Sequence, residues 1–310
     1  MDRVSTASGY QSVLLSLMNA ESTQNVAEQQ VSTGKIATDL SGYAANADAL
    51  TASRSVQSRL TSYVANAQSL GDQLTTQDQA LSALSTATQN AGTAVTQALA
   101  TGDGATLMTA LQAQFSSAVD ALNVQYDGKY LFSGGANTTP PVSAKTLSDL
   151  AGGVATVFKN GQTPQVNRLD DTTTVTTGVL ASTVATPLFT ALNTINAYVT
   201  ANGALSSPLT AAQTTFLQGV VSSMQSALST VNNAVSQNGV VQQQVKQTQT
   251  SLTAQSATLT NALGDLTNAD AAQAATNLQL AQTAVQASAQ VFATLKSSNL
   301  LSILGNSLGA

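Results

Sequence analysis

An adjacent pair of carboxylates, Asp170 and Asp171, is the feature of this sequence closest to a site for acid–base or metal chemistry. Neighbouring residues on a strand point to opposite faces, and no third ligand lies nearby in the sequence. The chain contains no histidine and no cysteine. Histidine- or cysteine-based catalytic triads, thiolate or imidazole metal sites and disulfides are therefore excluded. We predict that the two aspartates lie in a solvated loop.

Glycine pairs and arginines are the remaining candidates for ligand binding. Gly134-Gly135 and Gly152-Gly153 lack the spacing of a nucleotide-binding loop and are typical of turns. Arg54 and Arg59 lie in a helical stretch, where we expect surface ion-pair partners rather than phosphate ligands. The sequence thus predicts no catalytic residue, no cofactor and no bound metal, and a protein that is not an enzyme.

The chain has few charges, and their balance is acidic. Charged side chains make up 8% of the 310 residues, with a net charge of −5. We therefore expect no nucleic acid partner, because no basic patch can displace phosphate counterions. The 43% hydrophobic content argues against disorder. No apolar run of ~20 residues predicts membrane insertion. The weakly charged surface favours a chain covered by copies of itself or by partners, although a poorly charged soluble domain also fits.

The elements that must position any site are helices, and the clearest of them lies within residues 50–100. Apolar and small residues recur there in alternating steps of three and four, with no proline between them. A seam of period 3.5 over this length predicts a coiled-coil-like helix ~70 Å long. The seam consists of Ser53, Val56, Leu60, Tyr63, Ala67, Leu70, Leu74, Gln77, Leu81, Leu84, Thr88, Ala91, Val95 and Ala98.

Further helices are predicted on both sides of the middle of the chain. Gly102-Asp103-Gly104 should reverse the chain. A second helix then runs antiparallel to the first, with Leu107, Leu111, Phe115, Ala118, Leu122 and Gln125 on one face. Helical pattern resumes after Pro187, a residue tolerated in a first turn. Residues 209–299 are predicted to be helical almost throughout, with a heptad seam that slips near residues 268–270.

Residues 129–186 change to β character. Residues 129–133 are predicted to form a short strand. Residues 154–158 and 165–166 flank Asn160-Gly161 and predict a hairpin, because Asn-Gly suits a type I′ turn. The fold class is therefore mainly α: a long antiparallel coiled-coil-like helical bundle formed by both chain ends, with a small β-rich insertion domain in the middle.

The helical seams at the two chain ends are weak. Many of their positions are Ala, Ser, Thr or Gln, so each buries less apolar area than a Leu or Ile seam would. We infer that neighbouring subunits supply the missing burial. The predicted assembly residues on the terminal helices are Val13, Leu14, Leu17, Val31, Leu278, Val285, Phe292, Leu295, Leu300, Leu301, Ile303 and Leu304.

Short motifs in this chain resemble segments of the bacterial flagellin family. Val31-Ser32-Thr33-Gly34-Lys35 resembles the family's N-terminal signature. Lys129-Tyr130-Leu131-Phe132-Ser133-Gly134 resembles a segment of its hook-associated, flagellin-like members. Residues 282–288 and the ending 300–304 resemble the shared C-terminal segment. The residues that carry the first two matches are Gly34, Lys35, Tyr130, Leu131, Phe132 and Gly134.

The resemblance implies a structural component of the bacterial flagellum, an adaptor that joins hook to filament and templates flagellin assembly through its terminal helices. It implies self-association into a ring or filament, flagellin and other hook-associated proteins as partners, and a flagellar export chaperone as a candidate partner. The implied location is extracellular, after export without a cleaved signal peptide. Asp2 and Ser16 agree with the absence of a cleaved signal peptide, since one occupies the positive region and the other interrupts the apolar run.

The resemblance also suggests a division into five regions. These are an N-terminal assembly segment (1–45), a helical rod hairpin (46–138), a small β-containing outward domain (139–207), a helical rod return (208–268) and a C-terminal assembly helix (269–310). Two other functions stay open at this point: a filament-forming flagellin, and a secreted coiled-coil effector that uses its amphipathic termini on host membranes or proteins.

Overall fold

The computed structural model describes the backbone of residues 2–307 and the side chains of residues 9–297. Helices dominate, and the strands are short. The helices are α1 (Asp2–Thr33), α2 (Ala47–Thr101), α3 (Leu107–Leu122), α4 (Val154–Val157), α5 (Ala181–Asn202), α6 (Ala211–Thr267) and α7 (Ala271–Ser307), and 3-10 turns span Ser41–Asn46 and Leu147–Gly152. The strands are β1 (Gln125–Tyr126), β2 (Lys129–Tyr130), β3 (Val166–Arg168) and β4 (Thr174–Thr176). The mainly α fold with a small strand-containing middle region is thus confirmed.

The chain forms two compact units. The central unit is Thr61–Ala254, and the terminal unit contains the described residues up to Leu60 together with those from Gln255 onward. Helices α2 and α6 each contribute residues to both units.

In the central unit, α2 runs antiparallel to α6. Ser85 Oγ donates a hydrogen bond to Asn232 Oδ1 at 2.7 Å, and Gln77 Nε2 donates one to Asn238 Oδ1 at 3.2 Å, so residue numbers rise on one helix as they fall on the other. Every position of the predicted seam from residue 67 to residue 98 is buried. The heptad pattern therefore identified the buried face of α2 correctly from residue 67 to residue 98, whereas Ser53, Leu60 and Tyr63 are only half-buried and Val56 is exposed.

Helices α3 and α5 complete the core of the central unit. The rings of Phe115 on α3 and Phe189 on α5 lie 5.0 Å apart, and Phe158 stacks on Phe189 at 5.3 Å. The predicted apolar face of α3 is buried through Leu122. Gln125 is the exception, because α3 ends at Leu122 and Gln125 belongs to strand β1.

The strand predictions in the middle region were partly wrong. Strand β2 stops at Tyr130, and β1 pairs with β2 across the turn at residues 127–128. Residues 154–157 form the short helix α4 rather than a strand, and β3 pairs with β4.

The predicted hairpin around Asn160-Gly161 and the predicted start of the next helix also differ from the structure. The amide group of Asn160 donates to Ser182 Oγ and accepts from Ser182 N, so it fixes the start of α5 instead of closing a hairpin. Helix α5 begins at Ala181, so Pro187 lies inside the helix. The prediction that the helix begins at Pro187 is therefore wrong.

In the terminal unit, α1 packs antiparallel to α7. The rings of Tyr10 and Phe292 lie 4.9 Å apart near one end of the pair. Among the described residues of the two helices, the buried ones are small: Ala27, Ala274 and Ala281. Helix α7 is separate from α6, since α6 ends at Thr267 and residues 268–270 are not helical. The predicted slip in the seam coincides with this break.

Candidate functional site

The first motif that resembles the flagellin family joins the end of α1 to the break between α6 and α7. Gly34 has φ +66°, a conformation that costs glycine little, and this residue ends α1. Ile36 N donates to Thr267 O at 2.8 Å, and Ala269 N donates to Gly34 O at 2.9 Å. The chain segments around Gly34 and Asn268 therefore pair as a short antiparallel bridge. We call this element the 34–36 clasp.

The side chain of Lys35 adds polar contacts to the 34–36 clasp. Its amino group Nζ donates to Asn268 Oδ1 at 2.6 Å and to Thr267 Oγ1 at 3.2 Å. Hydrogen bonds from a charged donor are stronger than neutral ones, although exposure to water reduces the gain. Gly34 and Lys35 thus both bond to the segment between the end of α6 and the start of α7, more than 230 residues further along the chain.

The segment after the clasp is ordered by its own hydrogen bonds. Asp39 Oδ1 accepts from Ser41 Oγ at 2.7 Å and from Gly42 N at 3.0 Å, and these bonds hold the pKa of the Asp39 carboxyl below its ordinary value of 3.8. The hydroxyl of Tyr43 donates to Ala37 O at 2.7 Å. The Tyr43 ring lies in a small buried cluster with residues of α2 and α6. The connection between α1 and α2 therefore has a defined shape.

The predicted assembly residues fall into three groups. Those in the seam between α1 and α7 are half-buried: Val13, Leu17, Leu278, Val285, Phe292 and Leu295. Leu14 and Val31 are exposed. Leu300, Leu301, Ile303 and Leu304 belong to α7, but their side chains lie outside the described residues. Their part in assembly stays a prediction.

The structure adds exposed apolar residues that the heptad reasoning missed. Leu15 and Met18 on α1 are 56% and 57% exposed, and Leu280 on α7 is 64% exposed. Val26 and Val291 are exposed as well. These residues lie beside the seam rather than in it, so a search for a single stripe passes over them. The sequence could have indicated them only by the fact that the apolar residues of α1 and α7 are not confined to one stripe.

A groove of about 570 Å³ runs between α1 and α7. Of the residues whose side chains are described, no charged one lines it. The lining residues are Asn19, Ala20, Thr23, Val26, Ala27, Gln30, Asn277, Leu280, Ala281 and Ala284. An apolar groove bounded by amide and hydroxyl groups suits another uncharged protein segment better than a small polar ligand.

The second motif that resembles the family is buried where α3 gives way to the middle region. Leu131 and Phe132 are buried, and Phe132 O accepts a hydrogen bond from Ala181 N at 2.9 Å, at the start of α5. Gly134 has φ +57°, and a Cβ atom there would lie 2.6 Å from Leu180 Cδ2 and 2.7 Å from Thr163 O. A side chain at position 134 would therefore clash with Leu180 and Thr163, and the bond from Ala181 N ties the motif to the start of α5.

The Asp170–Asp171 pair closes a turn. Asp170 Oδ1 accepts from the backbone N–H groups of Thr172 at 2.8 Å and Thr173 at 2.7 Å, and these bonds lower the pKa of Asp170. Asp171 accepts a hydrogen bond from Tyr63 Oη at 2.7 Å and lies 3.5 Å from Arg168. Both carboxylates are thus engaged in local structure. Within the described part of the chain, no cluster of three acidic residues could hold a metal ion.

Two family models match this sequence. The model of the bacterial flagellin N-terminal helical region matches residues 4–137, and the model of the C-terminal helical region matches residues 221–304. Together they cover well over half of the chain, and each includes one of the terminal helices that build the α1–α7 groove. The chain belongs to the bacterial flagellin family.

Solved structures of flagellar proteins share the fold. A Vibrio parahaemolyticus protein assigned as a flagellar hook-associated protein aligns with a TM-score of 0.61 at 17% identity, over 73% of this chain and 100% of that chain. FlgL of Bacillus cereus aligns with a TM-score of 0.54 at 14% identity, over 70% of this chain and 99% of that chain. The chain is thus similar to flagellin-like, hook-associated proteins in fold.

Two further findings concern curated sequences and membrane-spanning helices. No curated protein sequence is significantly similar to this chain. Among the helices as far as they are described, none has the length and apolar character needed to span a bilayer. Membership in the flagellin family points to a structural role in the flagellum rather than a catalytic one.

Proposed function

We propose that this flagellar protein is the adaptor that joins the hook to the filament, and that its terminal helices template the first flagellin subunits. The observation that carries the proposal is the uncovered apolar surface of α1 and α7 in a member of the flagellin family. Leu15, Met18 and Leu280 are each more than half exposed. A monomer gains nothing from these side chains, whereas an assembled ring would cover them.

Covering this surface would supply part of the free energy that association requires. Complete burial of one Leu or Met side chain stabilises by ~1.5–3 kcal/mol, so each of these half-exposed residues offers roughly half of that. Five or more such residues lie along α1 and α7. In a ring, this gain would recur at every interface and would count against an association cost of ~4–15 kcal/mol.

A filament-forming flagellin is the second candidate, because the same terminal helices would serve it equally well. The motif at residues 130–134 favours the adaptor, since it resembles a segment of the hook-associated members. Leu131, Phe132 and Ser133 of this motif are buried, and Phe132 O accepts a bond from Ala181 N, so the motif supports the fold of the central unit. Purified protein that polymerises on filament seeds would favour the flagellin, whereas an adaptor should not elongate seeds on its own.

The direct experiment is immunogold electron microscopy of intact flagella with an antibody against residues 140–186. An adaptor predicts label at one spot where hook meets filament. Label along the whole filament would identify a flagellin instead. Label absent from every flagellum, with the protein present elsewhere outside the cell, would support the secreted effector.

A matched pair of variants tests the proposed surface. We expect Leu280→Glu to abolish filament attachment in a complemented deletion strain, because a charge would be buried in the assembled ring. Val240→Glu is the control, since Val240 lies on α6 in the central unit and is exposed to a similar extent as Leu280. The proposal fails if both variants restore swimming, with circular dichroism confirming that both fold.

The remaining expectations belong to the same proposal. The protein would leave the cell through the flagellar export apparatus without a cleaved signal peptide, with an export chaperone as a candidate partner. Flagellin and other hook-associated proteins would be its neighbours. We propose the same five regions, with residues 139–207 facing outward and the ends 1–45 and 269–310 in the assembly.

A further inference from the structure

A pair of buried amides lies in the seam between α2 and α6. Gln77 on α2 is 1% exposed and Asn238 on α6 is 3% exposed, and Gln77 Nε2 donates to Asn238 Oδ1 at 3.2 Å. Thr88, another buried polar residue of the α2 seam, bonds within its own helix, to Leu84 O at 2.8 Å. The two amides thus form a polar contact across the helix pair, which we call the 77–238 layer.

One acceptor of the 77–238 layer has no partner. Asn238 Nδ2 donates to Leu74 O at 3.1 Å and to Asp78 Oδ1 at 3.3 Å. These bonds turn the Asn238 oxygen toward Gln77, and only the Gln77 nitrogen can bond to it, because the reversed amide would bring two acceptors together. Gln77 Oε1 is therefore left buried without a hydrogen-bond partner among the described residues. Since an unpaired buried acceptor costs free energy, apolar side chains of similar size would stabilise the helix pair more.

The 77–238 layer divides the apolar core of the central unit into two clusters. The large cluster contains Phe115, Phe189 and the apolar α2 residues from Ala80 to Ala98. The small cluster lies on the other side of the layer, where α2, α6 and the β3–β4 hairpin meet, and consists of Ala67, Leu70, Leu74, Leu169, Val175 and Val245. The small cluster has far fewer apolar residues, so less free energy opposes its opening.

Two further features weaken the structure at this layer. Gln77 and Asn238 line a groove of about 430 Å³ beside residues 176–179, so the layer is not closely packed on that side. Asn238 is followed by Gly239 in the middle of α6, and both residue types are weaker helix formers than alanine. Polar pairing, packing and helix preference are thus all unfavourable at the same level of the α2–α6 pair.

We propose that the 77–238 layer is a joint at which the small cluster opens while the large cluster stays folded. In this opening, residues 61–76 of α2 separate from residues 239–254 of α6, and the β3–β4 hairpin loses its contacts with both helices. Water then reaches Gln77 Oε1 and removes the cost of its unpaired state, so opening here is favoured over opening elsewhere in the seam. The proposal concerns the central unit alone and does not depend on the junction role.

Native-state hydrogen exchange on the full chain, resolved by mass spectrometry, tests the proposal. Backbone amides of the small-cluster helices, at residues 64–74 and 241–249, should exchange at least about tenfold faster than those at residues 81–95 and 220–231. Equal exchange in the two sets would overturn the proposal, because the central unit would then open only as a whole.

Two substitutions in the layer should change this exchange in opposite directions. Asn238→Leu leaves the Gln77 amide buried without its partner, so exchange at residues 64–74 should accelerate at least about fivefold. Adding Gln77→Leu removes that amide and joins the two clusters, so exchange at the same residues should become slower than in the unaltered chain. Failure of the second substitution to reverse the effect of the first would also overturn the proposal.

Thr88→Val is the matched control. Thr88 is a buried polar residue of the same helix, but it lies at the level of the large cluster and its hydroxyl bonds within α2. This substitution should leave exchange at residues 64–74 unchanged. The role of the 77–238 layer is refuted if Thr88→Val slows exchange there as much as the double substitution does.

Discussion

Replacing Lys35 with methionine should loosen the 34–36 clasp without unfolding the protein. The substitution keeps most of the apolar stem and removes the amino group that donates to Asn268 Oδ1 at 2.6 Å and to Thr267 Oγ1 at 3.2 Å. The backbone bonds from Ile36 N to Thr267 O and from Ala269 N to Gly34 O stay available. The variant therefore separates the side chain's contribution from that of the backbone bridge.

The expected size of the effect follows from the geometry. A hydrogen bond to a charged group contributes ~1.5–3 kcal/mol when it is protected from water. Lys35 is exposed, so we expect about 1 kcal/mol after solvent screening. Opening of the clasp should then become about fivefold more frequent. Gly34→Ala should act through the backbone alone: no atom lies within 4 Å of the added Cβ, and the left-handed conformation costs ~1–2 kcal/mol.

Native-state hydrogen exchange measures this opening directly at the amides of Ile36 and Ala269. Exchange should accelerate about fivefold in Lys35→Met and at least as much in Gly34→Ala. Lys246→Met is the control, because Lys246 is also exposed and the described residues offer its amino group no partner. Unchanged exchange in Lys35→Met, or equal acceleration in Lys246→Met, would refute the role assigned to the Lys35 amino group.

Three further predictions concern the motifs and the turn at Asp39. Phe132→Ala should lower the free energy of unfolding of the central unit by about 3–5 kcal/mol, because Phe132 is fully buried. In urea denaturation, the control Lys129→Ala should have almost no effect. Gly134→Ala should destabilise the same unit by more than ~2 kcal/mol, through a clash with Leu180 added to backbone strain, and its thermal midpoint should fall accordingly. The pKa of Asp39 is lowered chiefly by the Ser41 hydroxyl, so Asp39 should stabilise the folded chain above the pKa of the unfolded state. This stability should be lost as pH falls below about 4, and carbon-detected NMR titration of Asp39 should give a midpoint under 3.8.

The long helices were predictable because their signal repeats. In α2 the step of three and four residues recurs over many turns, so isolated polar members such as Gln77 and Thr88 do not hide the seam. Both are buried in the structure. Gln77 finds a partner in Asn238 on α6, which no local pattern announces. Periodicity thus predicts which face is buried, but not which polar groups meet across it.

The middle region was less predictable because tertiary contacts outweigh local preference there. Residues 154–157 contain two valines and a threonine, which favour strands, yet they form helix α4. A capping box at Thr146 and Asp149 fixes the preceding turn, and Val157 is buried against the core of the central unit. A four-residue segment carries too little local preference to resist such contacts.

The candidate site was predictable only in its residues, not in its contacts. Resemblance to a family pointed to Gly34 and Lys35, but their partners Thr267 and Asn268 lie at a break that appears in the sequence only as a slip of the heptad seam. Sequence separation of more than 230 residues leaves no local trace of the pairing. The exposed residues Leu15, Met18 and Leu280 were also missed, since they do not repeat with the seam.

In the described part of the α1–α7 pair, the fully buried residues are small and the large apolar residues keep part of their surface exposed. Among the described residues of α1 and α7, the buried positions are Ala27, Ala274 and Ala281, whereas seam residues such as Phe292 are half-buried and Leu280 is 64% exposed. Small residues let the helices approach closely but bury little apolar area, so the pair gains little stability from its own interface. Large exposed apolar side chains are costly for solubility unless another chain covers them. This cost supports the proposed assembly, in which the next subunit would cover them.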